Sequence, residues 1–193
     1  MSGYLRPAAT LLLLLTLLTG GVYPALVTVF AQVLFSDQAN GSLIKDKQGL
    51  VIGSTLIGQA YTELRYFWSR PSATSPYAYN GAASSGSNIG PTNPALLQAV
   101  STRIQTLKNA DPENLAAVPI DLVTASASGL DPHISIAAAE YQVNRVAKAN
   151  KVSVTKLREL IVANTEGRLW GLFGEPRVHV VKLNLAVQQA VTN

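Results

Sequence analysis

From Pro7 to Ser36 the chain carries no charged side chain, and no other feature restricts its folding so strongly. The stretch opens with Leu11 to Leu15, Thr16, Leu17 and Leu18, then continues through Val22, Ala25, Leu26, Val27, Val29 and Phe30. At roughly 1.5 Å per helical residue it outreaches the roughly 30 Å hydrocarbon core of a bilayer, so it can span with tilt or emerge as a helix above the surface. A cleaved secretory signal carries a shorter apolar region, roughly 7–15 residues, ending in a small-x-small site. Here apolar character persists past Pro24, which favours an uncleaved signal-anchor over residues 1–36, ahead of a cleaved signal or a buried globular helix.

Arg6 is the only charged side chain before Asp37, and the next cations, Lys45 and Lys47, lie farther along. Positive charge stays on the cytoplasmic side, so the N-terminus is expected there and residues 37–193 outside the cytoplasm. Pro24 lacks a backbone donor and clashes with the preceding turn, which predicts a kink. Thr16 and Gly20, like Gly21 and Ala25, are four apart, a spacing that lets another helix approach closely in lipid. A lone anchor with incidental glycines is the alternative.

Charged residues make up 13% of the chain against the roughly 25% usual in soluble domains, and hydrophobic residues 48%. The net charge is +4, spread without runs of Lys or Arg interleaved with aromatics, so no nucleic-acid groove is expected. Cysteine is absent, which excludes disulfides, thiol nucleophiles and Cys-ligated metals. Residues 37–193 are long enough to fold as one extracytoplasmic domain without such staples.

That domain reads as α+β. Leu50 to Ile52, Val118 to Val123 and Val178 to Val181 are short β-prone runs, predicting a small mixed sheet in which Pro119 marks an edge. Asn93 is placed to cap a helix that starts at Pro94, carries Leu96, Leu97, Val100, Ile104 and Leu107 on one face, and stops at Asp111-Pro112. Ser135 caps a second helix reaching about Asn150, Ser153 a third with Leu157, Leu160 and Ile161, and Leu183, Val187 and Val191 mark a fourth. Between Ser69 and Pro94 the chain is rich in Pro, Gly, Ser and Asn, and composition divides evenly between a flexible linker and an ordered binding loop.

Thr124 to His133 gathers Ser126, Ser128, Asp131 and His133 in one short stretch. A serine nucleophile is recognised by spatial geometry rather than adjacency, and turn chemistry accounts for each residue here. No G-x-S-x-G elbow, phosphate loop or dinucleotide fingerprint occurs, and the two histidines, His133 and His179, have no metal-ligand spacing. His179 alternates within a β-prone run, where an exposed or core histidine is expected rather than a ligand. Arg145, Lys148 and Lys151 are three apart on the second helix and are expected on a solvated face, with Lys156 and Arg158 beyond them.

Several segments, in order, resemble the C chain of the Kdp-type potassium-transporting ATPase, the KdpC family. They are Tyr23-Pro24, Ala39 to Ser42, Gly53-Ser54, Leu56 to Gln59, Tyr66 to Ala73, Ser85-Gly86-Ser87-Asn88, Asn93-Pro94, Val123 to Asp131 with Ile134, and Gln142 with Arg145 to Ala149. Each is weak alone, but their order is specific and covers nearly the whole chain. The charged surface around Lys45 to Lys47 and Glu113-Asn114, and the stretch Gly167 to Gly174 with Trp170 and Phe173, depart from the pattern.

The resemblance implies a single-pass, non-catalytic accessory subunit of the inner (plasma) membrane. Its implied partners are a channel-like potassium-binding subunit, a P-type ATPase subunit and a small hydrophobic subunit. The implied role is a catalytic chaperone that raises the ATP affinity of the hydrolysing subunit, or an assembly factor, with ATP and potassium handled by the partners and no cofactor or metal bound here. Thr16, Gly20, Gly21, Tyr23, Pro24 and Ala25 become the expected helix-packing residues. Arg70, Pro71, Ser72, Ser85, Gly86, Ser87, Asn88, Ser126, Ser128, Gly129, Asp131, Gln142 and Arg145 become candidate functional-loop residues. A membrane-tethered serine hydrolase, or an extracytoplasmic solute-binding or scaffold protein, is the alternative.

Overall fold

A computed structural model describes residues 3–46 and 48–192, the last without its side chain. Lys47, counted above among the charges beyond the anchor, lies outside the described residues. Backbone contacts group the chain into two compact units, one up to Ser54 and one from Thr55 onward.

The first unit opens with a continuous helical stretch, Leu5–Leu34, whose most apolar 18 residues have a mean hydropathy of 2.0 and none of which is buried. It divides into α1 (Leu5–Leu17), a π-helical turn (Leu18–Val22) and α2 (Tyr23–Leu34). The π turn ends immediately before Tyr23-Pro24. It is the local form the predicted Pro24 disturbance takes, since widening the preceding turn relieves the crowding of the proline ring. α3 (Ser36–Ala39) then leads into the antiparallel hairpin β1 (Leu43–Lys45) and β2 (Val51–Ser54).

The second unit combines α4 (Pro94–Ala110), α5 (Ile136–Asn150), α6 (Val154–Ala163) and α7 (Val180–Thr192) with a three-stranded sheet. The sheet has β3 (His133–Ser135) and β4 (Thr165–Glu166) on either side of β5 (Arg177–His179). The fold is therefore a membrane-span candidate followed by α+β. The sheets are small but not mixed, because every strand pairing among the described residues is antiparallel.

The three helix starts lie where the cap residues put them. Asn93 Oδ1 accepts from Ala95 N at 2.9 Å, Ser135 Oγ from Ala138 N at 3.0 Å and Ser153 Oγ from Lys156 N at 3.2 Å, each satisfying an orphan first-turn donor. Ala138, Ala139, Val143 and Val146 on α5 pack with Leu157 and Ile161 of α6, Val180, Leu183 and Val187 of α7, and Phe67. Burying each large apolar side chain contributes about 1.5–3 kcal/mol.

The strand expectations held less well. Val118 to Val123 forms no strand; after Pro119 it makes a short 3-10 turn, Ile120–Leu122, and the Asp121 carboxylate accepts from Ser135 N at 2.7 Å and Ser135 Oγ at 3.1 Å. The proline withholds a ladder donor, and Asp121 takes the β3 donor instead. The run Val178 to Val181 is shared between elements: β5 ends at His179 and α7 begins at Val180, whose N–H donates to Pro132 O at 2.9 Å.

Candidate functional site

Residues 64–68 adopt no regular element, so their backbone groups need side-chain partners. α5 and α7 supply them. Gln142 Oε1 accepts from Trp68 N at 2.7 Å and Gln142 Nε2 donates to Trp68 O at 3.2 Å, while Asn184 makes the same pair of bonds with Phe67, at 2.8 and 2.9 Å. Arg145 donates to Leu64 O, to Tyr66 O at 3.0 Å and to Gln142 Oε1 at 2.6 Å, and its guanidinium stacks over the Trp68 ring at 4.5 Å. A terminal amide can mimic a peptide partner, which is why Gln142 and Asn184 sit fully buried at no unpaired cost.

Arg145 is thus not on the solvated face expected of it: it is 6% exposed, while Lys148 and Lys151 are exposed. Helical spacing put the three cations together, but α5 turns Arg145 inward, where main-chain carbonyls and an aromatic face replace water. Burial pulls its pKa down to about 10, with nearby Asp111 and Tyr141 opposing, and it stays protonated at neutral pH. Asn184 escaped the sequence reading altogether. Its signal was a polar residue beside Leu183 and Val187 on an otherwise apolar face.

Residues 69–93 form an ordered loop stitched to the turn at residues 125–131. Arg70 Nη1 lies 3.1 Å from Asp131 Oδ2, Ser72 Oγ donates to Gly129 O at 2.7 Å, and Ser85 N donates to Ser128 O at 3.0 Å. Gly129 has φ +67°, and a Cβ there would come within 2.6 Å of Ser85 O and 2.7 Å of Thr74 Cγ2; at Gly86 it would meet Ala127 O at 2.8 Å. Two backbones therefore approach at distances only glycine permits. Within the loop, Ser72 Oγ accepts from Tyr79 N and Thr74 Oγ1 from Asn80 N. The Tyr79 hydroxyl donates to Arg70 O at 2.5 Å, and burial pushes its pKa up to about 12.

The structure thus brings Arg70, Ser72, Ser85, Gly86, Ser126, Ser128, Gly129 and Asp131 together, with Pro71 half-buried between Arg70 and Ser72. Gln142 and Arg145 belong to the neighbouring 64–68 clasp. Ser87 and Asn88 are exposed, Asn88 with φ +52°. Thr16, Gly20, Gly21, Tyr23, Pro24 and Ala25 all lie on the bare helix, and a Cβ at Gly20 or Gly21 would meet nothing within 4 Å.

Chemically, the turn is occupied with itself. Ser126 Oγ accepts from Gly129 N at 2.9 Å and Ser128 Oγ from Leu130 N at 3.1 Å. His133 is engaged by carboxylates: Nδ1 lies 3.3 Å from Asp131 Oδ1 and Nε2 lies 3.1 Å from Glu166 Oε2, the latter close but poorly aligned as a hydrogen bond. This is no nucleophile and base pair, which would need a serine hydroxyl at the imidazole. Burial pushes Asp131 up, but the hydrogen bonds from His133 and the Arg70 charge outweigh it and hold the carboxyl below its usual range. His179 is a core residue; its Nε2 donates to Thr55 O at 3.0 Å, and burial pulls its pKa down.

Residues 5–189 match the family model described as KdpC, K+-transporting ATPase, c chain. The chain is 60% identical over 187 residues to the potassium-transporting ATPase KdpC subunit of Methylococcus capsulatus, covering 97% of this chain and 98% of that one. It is 59% identical over 190 residues to the KdpC subunit of Sorangium cellulosum, covering 98% and 100%. An ordered loop locked to a glycine turn, a clasped 64–68 segment and a bare apolar helix are thus the features of a protein that belongs to the KdpC family, the c chain of the K+-transporting ATPase.

Proposed function

We propose that the chain is the non-catalytic, single-pass subunit of its potassium pump. Its N-terminus is cytoplasmic, residues 37–193 lie outside, and it resides in the inner membrane. It assembles there with the channel-like potassium-binding subunit, the P-type ATPase subunit and the small hydrophobic subunit, and acts as a catalytic chaperone that raises the ATP affinity of the hydrolysing one. The observation that carries this reading, beside the family, is the helix Leu5–Leu34: apolar, with no buried residue and with an open surface at Gly20 and Gly21. Such a surface suits lipid and a second helix, since small residues allow close backbone approach.

An outer domain on the far side of the membrane from ATP acts on nucleotide affinity only as coupling between distinct sites, carried by the anchor or by the partner subunits. The ordered loop at residues 69–93 and the Gly129 turn are the candidate surface for the partners. Copurification from detergent tests the assembly: a coexpressed chain that never brings down the P-type subunit defeats it. Gly20→Leu and Gly21→Leu are expected to lower complex yield while the outer domain melts unchanged. ATP-concentration dependence of hydrolysis, measured on the complex with and without this chain, tests the chaperone role; an unchanged half-saturation point overturns it.

A further inference from the structure

Leu169 and Phe173 pair across the tip of a tight hairpin between β4 and β5. Trp170 and Gly171 at its apex have φ +53° and +74°, the positive pair of a type I′ turn. The tip is apolar and bare: Leu169, Trp170, Leu172 and Phe173 are 61, 81, 75 and 61% exposed. Several of its backbone groups bond across the tip: Leu169 N donates to Phe173 O, Phe173 N and Leu172 N to Leu169 O, and Gly171 N to Arg168 O. At the base, Arg168 Nη2 lies 2.8 Å from both Glu175 carboxylate oxygens, so the charges are paired behind the apolar end.

We propose that this hairpin tip inserts into the interfacial zone of a lipid bilayer, a second membrane contact in addition to the spanning helix. Three observations select lipid over a protein. Bonds across the tip reduce the number of backbone donors stranded on leaving water, a saving that counts most in lipid. The side chains are those of interfacial anchors, a Trp with Phe and Leu around it. Four such side chains offer on the order of 500 Å², below the ~800 Å² per partner of a specific protein interface, whereas a chain tethered by its own helix needs little further area.

The inference rests on the reading that Leu5–Leu34 spans the membrane, and the test separates the two. The full chain is reconstituted into phosphatidylcholine vesicles with plain or brominated acyl chains. The only tryptophans are Trp68 and Trp170, so subtracting the emission of Trp170→Phe isolates Trp170. Bromine is expected to lower the Trp170 emission by more than half, and Leu172→Glu is expected to abolish that quenching while the chain still floats with the vesicles. A chain that floats with Trp170 unquenched overturns the hairpin contact alone. A chain that fails to float overturns the anchor and the hairpin with it. Iodide shielding of Trp170 that appears only on coexpression with the other pump subunits, without bromine quenching, assigns the tip to a protein and overturns lipid.

Discussion

The helix Leu5–Leu34 and α5 relate polarity to burial in opposite ways. The first is the most apolar stretch of the chain and buries none of itself, whereas α5 contains Gln142 and Arg145 and buries both. The difference is one of partners. A helix apolar and bare along its whole length suits lipid, and a polar side chain can leave water when fixed groups replace its hydration. At α5 those groups are the main-chain carbonyls and N–H groups of residues 64–68 and the face of Trp68.

Arg145→Ala attacks that replacement directly. It strands the Leu64 and Tyr66 carbonyls and opens space beside Trp68, so the second unit should lose about 3–4 kcal/mol of stability, read by denaturant unfolding in detergent. A midpoint unchanged from wild type would mean that the buried polar clasp contributes nothing. Leu14→Arg makes the complementary change in the other helix. A cation near the centre of a span costs about 2.5–3.5 kcal/mol of insertion, so the membrane-bound fraction should fall while the melting of the second unit stays put.

Gly129→Ala probes the backbone contact between the two loops. Strain at positive φ adds about 1–2 kcal/mol, and the displaced Ser85 carbonyl adds to it, for a loss of ~2 kcal/mol or more and a lowered melting temperature. The smallest effect is electrostatic. Asp131 is held below the usual carboxylate range, so its contribution is present above the unfolded value of about pH 4 and is lost as pH falls through the depressed folded value. Asp131→Asn should cost about 1 kcal/mol near neutrality and flatten the acid limb of the stability curve; an acid limb as steep as wild type would assign it to other groups, Glu166 first.

Helix starts were legible because capping is local: Asn93, Ser135 and Ser153 each bond a donor two or three residues on. The turn at Gly129 was legible for the same reason. Strands were legible only in part: Leu50 to Ile52 and Val178 to Val181 overlap β2 and β5, but β3 is defined by a partner more than forty positions away, β4 is only two residues long, and the Val118 to Val123 run had the right composition without a partner. Composition left residues 69–93 poised between linker and loop. What orders them is a set of bonds to residues 128–131, more than forty positions on.

Sequence alone determined the apolar span, the order of the helices and the family, because hydropathy, capping and motif order are written along the chain. Tertiary structure decided which polar groups go inside. Arg145 shares its spacing with two exposed lysines, and Asn184 sits among ordinary apolar neighbours. Each is buried because an irregular backbone segment, folded back from a distant part of the chain, requires a hydrogen-bonding partner at that point.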